Sequence, residues 1–273
     1  MVKVAHVLLT LLCAPALLAV HAAEPAAATP AAGAPAASAA AAGESSPVDW
    51  ERWHAANDVS DLASLQRGAR NFMNYCNGCH SLKYMRYQRM ADDLKIPPEA
   101  LNASLIAPGS TNLDYITTAM PAADALNWFG KVPPDLSLLA RSKGVDYIYR
   151  LLKTFYVDPK QATGTNNLAY PNTAMPAVLS SLQGVQAVVF RDAGKDAAAE
   201  AQKPVDHFQL VAPGQLSAAD YDAFVRDTVN FLDYAGEPAQ IDRHAEGIWV
   251  VLFMVLLTLF VWLLKNEYWK DVR

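Results

Sequence analysis

The chain is poor in cysteine. Three occur in 273 residues, at positions 13, 76 and 79. Cys13 falls in an N-terminal run that reads as a cleavable leader, so the mature chain keeps two. One closely spaced pair cannot complete a structural zinc site, which needs a second Cys or His pair. If that pair is spent on a cofactor, nothing is left for a structural disulfide, which is unusual in an exported protein. A basic stripe is missing as well. Residues 24–247 carry 25 acidic and 18 basic side chains, a net charge of −7, and this disfavours nucleic acid. The mild acidity fits two readings, solubility alone or steering of a basic soluble partner. Strand signals are weak and no repeat of full motif length is found. The absence of a βαβ pattern around the cysteine pair disfavours a thioredoxin-like dithiol.

What is present is the run Cys76-Asn77-Gly78-Cys79-His80, the C-x-x-C-H pattern of c-type haem attachment. Two thiols three positions apart can take up the two vinyl groups of one haem as thioethers. The adjoining His80 then falls under the iron as proximal ligand. A covalently fixed haem with a fixed axial His points to electron transfer before catalysis. An electron carrier of that kind would have no catalytic acid, base or nucleophile of its own.

The ends of the chain assign a compartment. Met1-Val2-Lys3 precedes an apolar run from Val7 to Val20, and Val20-His21-Ala22 fits a small-x-small cleavage site. Residues 1–22 therefore read as a signal peptide, with cleavage after Ala22 or Ala23. Residues 23–47 are mostly Ala, Pro, Gly and Ser with almost no large apolar side chain. They read as a disordered tether. Near the other end, Ile248–Leu264 is apolar except for Thr258. With its edges it gives a transmembrane helix at 245–265. Trp249, Trp262, Tyr268 and Trp269 sit near its ends as interfacial aromatics. Lys265, Lys270 and Arg273 follow, which places the 266–273 tail in the cytoplasm and the body in the periplasm of an inner membrane.

Between these lies one domain, residues 48–240. Asp61 to Tyr75 reads as a helix, with apolar residues Leu62, Leu65, Ala69, Phe72, Met73 and Cys76 at spacings of three and four. A second helix is predicted from Ala218 to Ala235, capped by Ser217 with Asp220. A third runs from Val145 to Phe155. Val185–Phe190 is the best strand candidate. The class is mainly α, with long loops wrapped round a cofactor.

A sixth ligand is ambiguous from the residues alone. Thr118-Ala119-Met120-Pro121 and Thr173-Ala174-Met175-Pro176 are near copies. Either can present a Met on an extended segment, because Pro biases the preceding residue away from helix. His54, on the approach to the domain, His207, in a charged loop, and His244, close to the membrane helix, are further possible ligands.

Taken together, the chain resembles the cytochrome c1 family, the haem subunits of ubiquinol–cytochrome c oxidoreductase, in its compact proteobacterial form. Arg67-Gly68-Ala69, Cys79-His80-Ser81-Leu82-Lys83-Tyr84 and Pro133-Pro134-Asp135-Leu136-Ser137 carry the likeness. So do Gly164-Thr165-Asn166-Asn167, the Tyr170–Pro176 run, and the ending Leu264–Val272 after a single anchor. The resemblance implies a cytochrome c-like domain holding one covalent haem c. It implies Cys76 and Cys79 as attachment points, with His80 and Met175 as the iron ligands. Met175 is preferred because it follows the Pro-Pro-Asp-Leu-Ser block, whereas Met120 precedes it. Pro133 and Pro134 stiffen a loop against the haem, and Arg141 is a candidate for a haem propionate. Implied partners are cytochrome b, a Rieske iron–sulfur protein and an acceptor cytochrome c. The competing reading is a membrane-anchored c-type subunit of a terminal oxidase or another respiratory dehydrogenase.

Overall fold

The structure is a computed structural model, described here for residues 48–191 and 204–271. The expected signal peptide, the tether and the last two residues lie outside the described residues. Helix α1 (Leu62–Tyr75) is followed by strand β1 (Leu82–Arg86), α2 (Tyr87–Asp93), α3 (Pro98–Ser104), β2 (Tyr115–Ile116) and α4 (Ala122–Phe129). Then come α5 (Leu139–Lys143), α6 (Val145–Lys153), β3 (Phe155–Val157), β4 (Thr165–Asn167) and α7 (Ser180–Gln183). Strands β5 (Gly184–Phe190) and β6 (Val205–Pro213) precede α8 (Ala218–Gly236) and α9 (Gln240–Trp269). Among the described residues the strands form three two-stranded antiparallel pairs, β1–β2, β3–β4 and β5–β6.

The core is built on α1 against α8. Asp61 caps α1 by accepting from Ser64 N, and Ser217 caps α8 by accepting from Asp220 N. Each cap satisfies a backbone donor that the first turn leaves orphaned. The helices meet closely at Gly68, where a Cβ would lie 2.1 Å from Asp227 O and 2.6 Å from Phe231 Cβ. Beyond that contact the Phe72 and Phe231 rings meet at 5.8 Å, tilted by 46°, and Asn71 Nδ2 donates to Phe224 O at 3.2 Å. Arg67 clamps the pair from outside, with Nε on Asp227 Oδ2 at 2.6 Å and Nη2 on Oδ1 at 2.9 Å. The Arg-Gly-Ala run is thus a helix-packing device that fixes where α1 ends.

Several expectations need correction. The third helix stops at Lys153, two residues short of Phe155. Thr154 Oγ1 donates to Arg150 O and closes the last turn. Phe155-Tyr156-Val157, aromatic and β-branched, then pairs with Thr165–Asn167. The strand at Val185–Phe190 has a partner that alternation did not reveal, β6. His207 therefore lies in a strand opposite Val189 and not in a charged loop; its Nδ1 lies 2.9 Å from Asp206 Oδ2. His54 is exposed, with Nδ1 2.7 Å from Asp146 Oδ2. His244 sits within α9, which begins at Gln240 and outruns the apolar stretch at both ends.

Along α9 the side chains from Ile248 to Leu264 are uncovered, with mean hydropathy 2.7 over its most apolar window. A helix apolar all round and unburied by its own chain fits a single membrane anchor.

Candidate haem site

Helix α1 delivers the cysteine turn directly. Cys76 N and Asn77 N both donate to Phe72 O, at 2.8 and 2.9 Å, so one carbonyl of the last helical turn accepts two bonds. Cys79 N and His80 N then donate back to Cys76 O, at 3.0 and 2.8 Å. These bonds gather Cys76, Cys79 and His80 into one tight turn. Both cysteines are free thiols. Burial, and secondarily Cys79, pushes the Cys76 thiol up to about 12, and burial raises Cys79 as well. Thiols held protonated in this way are poor redox nucleophiles. No group of three or more His, Cys, Asp or Glu able to hold a metal ion occurs among the described residues, so a zinc site does not form there.

The Pro-Pro-Asp-Leu-Ser block zips alongside the residues after the turn. His80 Nδ1 lies 2.7 Å from Pro134 O and must donate to it, because a carbonyl only accepts. That bond fixes the tautomer and leaves Nε2 free with its lone pair, the arrangement of a ligating histidine with its other nitrogen anchored. Burial lowers the His80 pKa, against opposing contributions from the Pro134 bond and Asp135, which favours the neutral ring a metal needs. Leu136 N donates to Ser81 O at 2.9 Å, Lys83 N to Asp135 Oδ2 at 2.9 Å, and Tyr84 N to Ser137 Oγ at 3.3 Å. Asp135 also accepts from Ser137 N at 3.0 Å. The block is a clamp whose Pro134 carbonyl orients His80. Sequence reasoning assigned it loop stiffness and missed the hydrogen bond, since any residue can offer a carbonyl.

Met175 arrives on a loop shaped by asparagines. Asn167 is buried; its Oδ1 accepts from Tyr170 N at 3.0 Å and its Nδ2 donates to Leu151 O at 2.7 Å. Asn166 Oδ1 accepts from Asn172 N at 2.8 Å, which holds Asn172 at φ 59° in the left-handed region that Asn tolerates. Thr173 is buried, and its Oγ1 accepts from Met175 N at 3.2 Å. Met175 is half-buried against the core that also receives Cys76. The run Gly164–Asn167 thus supports the Met175 loop through its amide side chains.

Met120 adopts the same local turn, its N donating to Thr118 Oγ1 at 3.2 Å. Thr118 is tied to the cysteine turn, its Oγ1 donating to Gly78 O at 2.8 Å and its N to Ser81 Oγ at 2.9 Å. Nothing in the sequence marked Thr118 as an anchor. Arg141, the propionate candidate, packs over Gly236 and lies 3.3 Å from Glu237 Oε2. A cavity of about 880 Å³ opens between the 48–51 segment, β5 and the 156–172 loops. Its lining contains neither cysteine, nor His80 or Met175.

The donor set fits a covalent haem: two cysteines outside any disulfide in one turn, an imidazole with one nitrogen anchored, and a thioether loop on the same core. Residues 51–272 match the family model described as Cytochrome C1 family. The chain is 47% identical over 185 residues to cytochrome c1 of Allochromatium vinosum, covering 68% of this chain and 75% of that protein. It is 39% identical over 181 residues to the ammonia monooxygenase gamma subunit of Nitrosomonas europaea, covering 66% and 72%. Against cytochrome c1 of Rhodospirillum rubrum it is 29% identical over 178 residues, 63% of each chain. With its turn, its clamp and its single apolar helix, the chain belongs to the cytochrome c1 family, c-type haem proteins with covalently bound haem that serve as electron-transfer subunits of the cytochrome bc1 complex.

Proposed function

We propose that this chain takes single electrons from a Rieske iron–sulfur protein and passes them to a cytochrome c, beside cytochrome b in the complex. In this reading Cys76 and Cys79 would hold the haem as thioethers, and His80 Nε2 and Met175 Sδ would bind its iron. The haem supplies a one-electron Fe(III)/Fe(II) couple, and a thioether ligand raises its potential. The chain's own part is positional. Pro134 O holds the His80 ring in one orientation through its 2.7 Å bond, and this observation carries the reading. Asn166, Asn167 and Thr173 fix the loop of Met175, so that little reorganisation accompanies a change of charge. With His80 and Met175 both given to the iron, the chain would leave no position there for a substrate.

The body, residues 48–240, faces the periplasm. The chain crosses the inner membrane once through the apolar part of α9, and residues 266–273 reach the cytoplasm. The basic residues Lys265 and Lys270 beyond the apolar run support that orientation. The test is spectroscopic. Met175→Leu should abolish the methionine–iron charge-transfer band while haem staining survives denaturation, and Met120→Leu should leave the band intact. Loss of the band in Met120→Leu alone would reverse the ligand assignment.

A further inference from the structure

The stretch from Thr118 to Pro134 is pinned at both ends to the cysteine turn. Thr118 bonds Gly78 O and Ser81 Oγ at one end, and Pro134 O receives His80 Nδ1 at the other. Between them α4 buries only Ala125. Leu126, Trp128 and Val132 are 51, 64 and 47% exposed, and Phe129, half-buried, meets the Trp128 ring edge-on at 6.4 Å. The strap carries only two charged side chains, Asp124 and Lys131. An apolar, nearly uncharged strap anchored at both ends to Gly78, His80 and Ser81 of the cysteine turn calls for an apolar occupant fixed to the same turn.

We propose that Trp128 and Val132 pack against the edge of the haem and exclude water from it, with Trp128 as the principal cover. This rests on attachment at Cys76 and Cys79. Water beside the ring favours the ferric form, which carries one more positive charge, so a cover on the edge raises the potential. Trp128 is here a positioning residue that acts through solvent exclusion, not through ligation.

The test uses full-length holoprotein in its complex, with Trp128→Ala, Trp128→Phe and Val132→Ala. The readouts are midpoint potential and Soret circular dichroism. Trp128→Ala should lower the potential and change the Soret dichroism while haem staining and the methionine–iron band persist. Trp128→Phe should restore most of both, and Val132→Ala should shift the potential the same way by less. If Trp128→Ala yields no holoprotein, Val132→Ala is read in its place. Unchanged potential and dichroism in the alanine variants would overturn the proposal. So would a slowed reduction of the acceptor cytochrome with both unchanged, which would make this face a docking surface instead. Native chain that loses its haem on denaturation marks a separate failure, that of attachment at the cysteines.

Discussion

At position 68 the chain has no room for a side chain. A methyl group placed there would meet a backbone carbonyl oxygen 2.1 Å away, and a carbonyl in the middle of α8 cannot swing aside. Gly68→Ala should therefore force α1 and α8 apart and cost about 1–3 kcal/mol, as overpacking does. Denaturant unfolding should show it, with haem still attached. Charge acts at the same scale. At Asp222 burial raises the carboxyl pKa, but hydrogen bonds from Lys153 and Tyr149 outweigh it and hold the group below its ordinary 3.8. At Asp146 burial is likewise outweighed, by His54 and Ala55 N. A carboxyl depressed in the folded state stabilises above its unfolded value and loses that contribution as pH falls through the folded one. Stability should be level from neutrality to about pH 5 and decline below about pH 4. Asp222→Asn should be less stable at neutral pH with a shallower acid limb, and an acid limb as steep as the parent's would remove Asp222 from this account.

Among elements, those with a strong local signature were legible and those made by tertiary contact were not. Helices α1 and α8 announced themselves by period, and α8 also by its Ser217 cap; both start where Asp61 and Ser217 put them. Strand β6 did not, because Val205–Pro213 has a buried start and a largely exposed remainder and so lacks alternation. The end of α6 was misplaced because Phe155 fits the apolar face of a helix as well as it fits a strand. In the site, the cysteine turn was fully legible as a motif. The clamp was legible only as a resemblance, since its working groups are the Pro134 carbonyl and amide protons. Thr118 was invisible for the same reason. The anchor was plain from composition. Among the described residues, none of the buried apolar core lies beyond Ala235, so a chain ending before Ile248 should be a soluble haem domain with an unchanged spectrum. Recovery of aggregated, haem-free protein alone would return α9 to the fold.

As a whole molecule, the chain reads as a rigid carrier for one redox centre. A helix pair locked at Gly68 sets the cysteine turn. The clamp aims His80, the asparagine-braced loop presents Met175, and one apolar helix holds the body at a membrane. The account stands on six-coordination by His80 and Met175, and the carbon monoxide difference spectrum of the reduced holoprotein probes it most directly. The native chain should show no carbon monoxide shift, and Met175→Leu should gain one. Carbon monoxide binding by the native chain, or none by the variant, would contradict it.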